Sequence, residues 1–453
     1  MHLDKAMFSP TYRLFCLLGL SLLIASCKHT DPDPNQGLST SQLAVVQALN
    51  QVALPIQDAD PTRSFADLSP LDSVLAKAQV IGLGEGTHGT HEFFQMKDRL
   101  FRYIVQHQSY QALGFEADFG LCLTINRFIH GESTSFGWTT DAARSLRLWP
   151  WQVTEVSDLL QWMKDYNTGK VADQKISFYG FDCQSADDNF PIVSEFLSTV
   201  DPASVASMDS IVNLYSLSGG SSTHAAWQQY SQRLPTLYNL FVNHEAQWIA
   251  AGGQQAYQLA RHAVRVLIQN QDVISSNQAT CLSYSKREQY MAENIQWLYQ
   301  TLGIHKLGLW AHSGHVANVP SSCGSASMGY LLKQQLGSKY LIVGTSFSNG
   351  TFTAIDASKT NLPLSSLSIQ SESIKSTSNY LLGKVQYPNF MLNLTQSPAD
   401  SSLRNWLRGT QPLLLIGAGY DGSNPQKYLY NYPLTGSFDV LIHFRDTTPT
   451  HIL

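Results

Sequence analysis

The stretch Val80-Ile81-Gly82-Leu83-Gly84-Glu85-Gly86-Thr87-His88-Gly89-Thr90-His91-Glu92-Phe93-Phe94 decides how the rest of the chain is read. Its apolar start predicts a buried strand, and a helix is expected to begin near Glu92. Between them, closely spaced glycines let the backbone bend sharply and come close to a bound group. Glu85 and His88 are thereby placed on a tight loop at the carboxyl end of a strand. Open α/β sheets bind their ligands at that edge.

Working outward, further strands are expected at 111–115, 175–181 and 306–311, separated by amphipathic helices such as 92–106, 122–129 and 153–166. Alternating strands and helices imply right-handed crossovers and a parallel sheet. Residues 189–302 differ, showing long helical patterns at 225–250, 254–271 and 286–302 without a convincing strand. The expected architecture is α/β: a mostly parallel central sheet flanked by helices, with a helical insertion (189–302) capping the C-terminal edge of the strands. The sheet domain would comprise 39–188 and 303–453. Its second part is read as a helix at 327–336, a strand at 340–346 with a hairpin partner at 350–355, and short strands at 412–416 and 439–444.

Residues 1–26 read as a targeting segment, with Lys5 and Arg13 ahead of an apolar run too short to span a membrane. It ends in Leu23-Ile24-Ala25-Ser26-Cys27, which resembles a bacterial lipobox whose cysteine carries the lipid. Residues 27–38 form a polar, proline-containing tether. The expectation is an exported lipoprotein, membrane-anchored through Cys27 on the periplasmic or cell-surface side. Of the remaining cysteines, Cys122, Cys183, Cys281 and Cys323 have wide spacings that fit neither a zinc ribbon nor a disulfide framework. They read mostly as small buried side chains, although export makes disulfides possible. With 29 basic and 34 acidic residues, a formal net charge of −5 and no basic run in the globular part, a nucleic-acid partner has no electrostatic footprint. No protein partner is inferred.

Each of the first four strands ends in a side chain able to do chemistry: Glu85 with His88, then Glu116, Asp182, and His312 with His315. A parallel sheet brings all four ends to one edge. Two or more imidazoles beside carboxylates favour acid–base chemistry near neutral pH, with a carboxylate fixing the tautomer of the base. Trp138, Trp149 and Trp151 suit the wall of a pocket for a partly apolar ligand.

These motifs jointly resemble the erythromycin esterase family. The likeness is carried by Gly84-Glu85-Gly86-Thr87-His88-Gly89 with Glu92-Phe93-Phe94, Gly114-Phe115-Glu116 and Trp149-Pro150-Trp151 with Thr154-Glu155-Val156. Gly180-Phe181-Asp182, Tyr290-Met291-Ala292-Glu293-Asn294, Ala311-His312-Ser313-Gly314-His315 and Met328-Gly329 complete it. The resemblance implies hydrolysis of a carboxylic ester, with a macrolactone as one candidate, by water activated at a glutamate–histidine turn, with no cofactor and no required metal. It carries over Glu85 and His88 as catalytic, Glu116 as a partner carboxylate, and His312 and His315 as facing imidazoles. Lys97 stands where members often have an arginine, with Arg99 two residues on; lysine keeps the charge but loses the bidentate fork. Lys97, Arg99, Asp182, Trp149 and Trp151 are the expected substrate-binding residues.

Other readings use the same residues. Glu85, His88, Glu116, His312 and His315 are ligand types for a metal-dependent hydrolase. Gly84-x-Gly86-x-x-Gly89 also fits a dinucleotide fingerprint, but Glu85 would bring a negative charge against the pyrophosphate. No Gly-x-Ser-x-Gly elbow is present. Cys183 beside Asp182 is a weaker nucleophile candidate, and Arg127, Arg144 and Arg147 are weaker anion-binding candidates. A non-catalytic surface lipoprotein that binds a ligand in the same crevice is the remaining alternative.

Overall fold

The computed structural model describes residues 37–277, 280–321 and 323–453. The expected leader and Cys27 lie outside them. Residues Ser39–Leu453 form one compact unit. Its strands are β1 Leu54–Pro55, β2 Val80–Glu85, β3 Ala112–Asp118, β4 Ser177–Asp182, β5 Leu307–His312 and β6 Tyr340–Asp356. They continue with β7 Leu364–Ile369, β8 Asn389–Asn393, β9 Thr410–Leu414, β10 Gly419–Tyr420, β11 Leu429–Pro433 and β12 Val440–Thr447. The main sheet runs β1-β8-β12-β6-β2-β5-β3-β4. From β12 through β4 every neighbouring pair is parallel, and only β1, β8 and the β7 hairpin run antiparallel.

The continuous apolar runs of β2, β3 and β5 follow from burial on both faces. Successive residues enter two separate clusters. Ala112, Leu307, Leu309 and Ala311 join one with the helices of residues 189–302, while Leu113, Phe115 and Trp310 join the other with the helix His91–Gln108. The chain is thus a three-layer α/β/α fold. Among the described residues, 189–302 hold only helices, including Ala225–Asn243, Gln254–Ser275 and Cys281–Gln300. The last of these tethers itself to the sheet, Asn294 donating to Phe181 O at 3.0 Å. No described helix is long and apolar enough to cross a membrane.

Three local expectations need correction. β6 is a single strand of 17 residues instead of two arms of a hairpin. Its first part pairs with β12 and its second part with β7, because Gly350, at φ +128°, changes the strand's course without ending it. The segment at 412–416 belongs to a separate two-stranded sheet with β11. Finally, Cys281 and Cys323, 42 residues apart, are joined in a disulfide, while Cys122 and Cys183 are buried thiols. The pairing was hidden because the insertion folds back to bring the two cysteines to a Cα separation of 5.3 Å.

The glycines of the β2 turn also serve a different purpose from the one expected. A side chain at Gly89 would fall on the backbone of Thr353, and one at Gly86 would sit 2.8 Å from Thr345 O. The turn is pressed against β6, so it is the protein's own backbone that requires the glycines. The same packing fills the place a pyrophosphate would need and removes the dinucleotide reading.

Candidate active site

β2 and β5 are adjacent, parallel and in a register that pairs Glu85 with His312. The coincidence of polar strand ends is therefore a direct contact of neighbours. Glu85 is fully buried. Its Oε1 accepts from His88 Nδ1 at 3.0 Å, and its Oε2 is bonded by the Lys97 ammonium from two turns into the following helix. Burial would raise the Glu85 carboxyl, but Lys97 and the hydrogen bond to His88 outweigh it and hold it below the usual range. Burial lowers Lys97 to about 8 despite Glu85. Lys97 Nζ also lies 4.1 Å from the centre of the Trp310 ring, a cation–π contact. With Nδ1 committed to Glu85, the other nitrogen of His88 is left to face the crevice.

His312 is the cap of the short helix Ser313–Val316, its Nδ1 accepting from the Gly314 amide at 3.1 Å. That bond puts the imidazole proton on Nε2, which has no partner among the described residues. Burial, with His88 nearby, pushes His312 down to about 3, so the ring is a neutral N–H donor. The His88 and His312 rings are 4.9 Å apart.

His315 is held differently. Its Nδ1 bonds Glu288 and its Nε2 lies 3.2 Å from Glu116 Oε1. Burial opposes the charge, but Glu288 and Glu116 raise His315 well above its ordinary value and keep it cationic. Glu116, conversely, is held far below the carboxylate range despite its burial, by His315 and Arg287. Its Oε2 accepts from the His312 amide at 3.0 Å and so fixes that strand end. Arg287 donates to Glu116 at 2.8 Å and forks onto Asp182 at 3.0 and 2.8 Å. Its Nη1 also lies 3.3 Å from His315 Nε2, two donors drawn together by Glu116.

These groups face a cavity of about 480 Å³. Its floor is His88, Glu116, His312, His315 and Arg287, and its walls include Trp149, Trp151, Tyr284, Tyr430 and Tyr432. Trp151 sets its ring edge-on to His88, centroids 5.5 Å apart.

The structure thus brings together Glu85, His88, Glu116, His312 and His315, with Trp149 and Trp151 beside them. Three expected substrate contacts are placed elsewhere. Lys97 is buried behind Glu85, and Asp182 behind Arg287. Arg99, on the far side of the same helix turn, forks onto Asp67 and the carbonyls of Asp58 and Ser64, pinning the loop before β2. Trp138 is 75% exposed and forms no wall. Burial drives the Cys183 thiol far up, which leaves it inert as a nucleophile. Arg127 and Arg147 are engaged in surface ion pairs. Arg287, Glu288 and Tyr284 were missed, although adjacent opposite charges one turn beyond a tyrosine on an otherwise amphipathic helix were a usable signal.

The family model described as erythromycin esterase matches residues 105–447, most of the chain. The chain belongs to the erythromycin esterase family. Over 327 residues it is 26% identical to erythromycin esterase type II of Escherichia coli, covering 66% of this chain and 76% of that protein. A solved succinoglycan biosynthesis protein superposes with a TM-score of 0.77 at 25% identity, over 92% of this chain and 100% of its own. An erythromycin esterase mutant crystallised in its open conformation shares the fold at TM-score 0.65 and 15% identity, over 86% and 96% of the two chains. Membership supports hydrolytic chemistry. The match begins beyond the β2 turn, so the case for Glu85 and His88 rests on their geometry.

Because Glu85 and Lys97 are both buried, removing one partner strands the other. Lys97→Met is expected to lower unfolding free energy in urea at pH 7 by about 3–5 kcal/mol. The double variant Lys97→Met with Glu85→Gln is expected to recover a large part of that loss.

Proposed function

We propose that this protein hydrolyses a carboxylic ester, with a macrolactone as one candidate substrate, by general-base attack of water at His88. The observation that carries this reading is the chain Lys97–Glu85–His88, set 4.9 Å from a neutral His312 on the floor of one cavity. His88 Nε2 takes a proton from water as the water oxygen bonds to the ester carbonyl carbon. Glu85 stabilises the imidazolium that forms. His312 Nε2–H, with no partner to give up among the described residues, donates to the carbonyl oxygen as it becomes an oxyanion. The C–O bond then breaks, and His88 returns its proton to the departing alkoxide, leaving a carboxylic acid and an alcohol. Arg287 and His315 supply fixed positive charge beside the oxyanion, and the aromatic walls bind the apolar part of the substrate.

Anchorage belongs to the same proposal. The Cys281–Cys323 disulfide fits an oxidising compartment, which supports export. Fractionation of cells making the wild type should find the protein in membranes, and the Cys27→Ala variant should be recovered unlipidated. Equal lipid labelling of the two would defeat this part.

Incubating the protein with a panel of macrolides and other lactones, followed by mass spectrometry, is expected to show products heavier by one water. His88→Ala should lower kcat by about 10³-fold or more while substrate affinity stays within a few-fold. A water-adduct product formed equally by that variant would rule out His88 as the base.

The pH profile provides a separate check. As pH rises through about 8, Lys97 loses its proton and Glu85 loses its counter-charge. Activity should therefore fall on an alkaline limb near pH 8. Lys97→Arg, which stays charged, should move that limb upward; an unmoved limb would assign it to another group.

A further inference from the structure

After β12 the chain turns back across the catalytic turn. The Thr450 amide donates to Gly89 O at 3.0 Å and the His91 amide to Thr448 O at 2.9 Å. Glu92 accepts from the Thr448 amide and hydroxyl at 2.9 and 2.7 Å. On the other side the Thr154 amide reaches His451 O at 2.8 Å, and the Leu453 amide reaches Gln152 O at 3.0 Å. This strap joins the segment that carries His88 to the one that carries Trp149 and Trp151.

Three side chains meet where it crosses. His91 begins one helix, Glu155 lies in the first turn of another, Thr154–Asn167, and His451 comes from the strap. Both imidazoles turn Nδ1 toward the same oxygen, Glu155 Oε1, at 2.5 and 2.8 Å. The rings stand at 85° with centroids 4.8 Å apart, as two ligands do when they approach one centre from different sides. All three ligand atoms lie within 4.8 Å of one another. The His451 amide also donates to Glu155 at 3.2 and 3.3 Å, which holds the carboxylate in place from outside the ligand set.

Two imidazoles and a carboxylate form a donor set suited to Zn²⁺ and its neighbours. Ligand atoms roughly 2.1 Å from a tetrahedral ion stand about 3.4 Å apart. Lengthening the 2.5 and 2.8 Å Nδ1–Oε1 contacts by roughly 0.6 to 0.9 Å makes room for one. Glu155 is buried and the His451 side chain is 64% exposed, so the fourth position opens to water and ions can enter.

We propose that His91, Glu155 and His451 form a divalent-metal site, selective for Zn²⁺ over Mg²⁺, that staples the C-terminal strap to the two segments framing the cavity. None of the residues assigned to water activation takes part. The site stands whether or not the cavity hydrolyses esters. Each imidazole binds through an unprotonated Nδ1, keeping its proton on Nε2, so the ion replaces two hydrogen bonds to Glu155 and unites the same three groups.

The test uses the full folded chain, stripped with a chelator and titrated with Zn²⁺ alone against a chromogenic competitor. One ion per chain is expected, with a rise in melting temperature and, when Co²⁺ replaces Zn²⁺, the visible absorption of a four-coordinate complex. His451→Ala, which alters an exposed side chain, should weaken binding at least tenfold and abolish the rise in melting temperature. His88→Ala should leave both unchanged. The proposal is overturned if the wild type binds no stoichiometric Zn²⁺, if His451→Ala binds as tightly as wild type, or if His88→Ala is the variant that loses the ion.

Discussion

A carboxylate with no access to water is the constraint around which the molecule is arranged. Moving Glu85 from water to the interior costs several kcal/mol unless its charge is matched at short range. Lys97, from the helix after the turn, provides that charge, and His88, from the turn itself, adds a hydrogen bond. The two ends of the strand–turn–helix unit are therefore locked to the same pair of oxygens. Local folding and site assembly become one event, because a helix that slipped by a residue would leave both charges unpaired. The glycines beneath the turn permit this by letting β6 approach its backbone.

A second buried group of charges extends the arrangement across the sheet. Glu116, Asp182 and Glu288 are three carboxylates served by Arg287 and His315. Glu116 lies two residues before the end of β3 and Asp182 ends β4, whereas Arg287 and Glu288 come from the helix Cys281–Gln300. The strand ends alone would leave the acids uncompensated. The helical segment thus completes the electrostatics of the site as well as standing beside it. Glu288 also accepts from the Met328 amide at 2.6 Å, which couples that helix to the start of the helix Met328–Leu336. The Cys281–Cys323 link ties the first residue of that helix, two turns from Arg287, to the loop before Met328, and fixes the start of the helix that carries Arg287.

The positions of Glu85, His88, Glu116, His312 and His315 were legible because parallel strands with polar last residues leave little freedom in where those residues go. The family likeness covered the same motifs. What could not be read depended on which way a helix faced. Lys97 and Arg99 are two residues apart and look equivalent as a string, yet the helical turn sends one to Glu85 and the other to Asp67. Arg287 escaped notice for a related reason: its partners are 105 and 171 residues away, and nothing local announces them. The disulfide was hidden by the same long-range folding. The hairpin expected within β6 failed because Gly350, a usual turn former, here accommodates the approach of Thr447 on β12.

Three imidazoles share one small space, and their surroundings divide them into different chemical states. His315 has carboxylates on both nitrogens and stays cationic, so it has no lone pair to accept a proton. His312 has spent its lone pair on the Gly314 amide and offers only an N–H. His88 alone gives its N–H to a carboxylate and keeps a lone pair toward the cavity. The proposed attack of water on an ester would use one base, one neutral donor and one fixed cation as a place for the proton, a partner for the oxyanion and a favourable field. Residue type does not make this division, since all three are histidine. The division is made by which backbone amide or carboxylate each ring meets first: the Gly314 amide of its own cap for His312, Glu85 three residues back for His88, and for His315 Glu116 from β3 with Glu288 from the helix Cys281–Gln300.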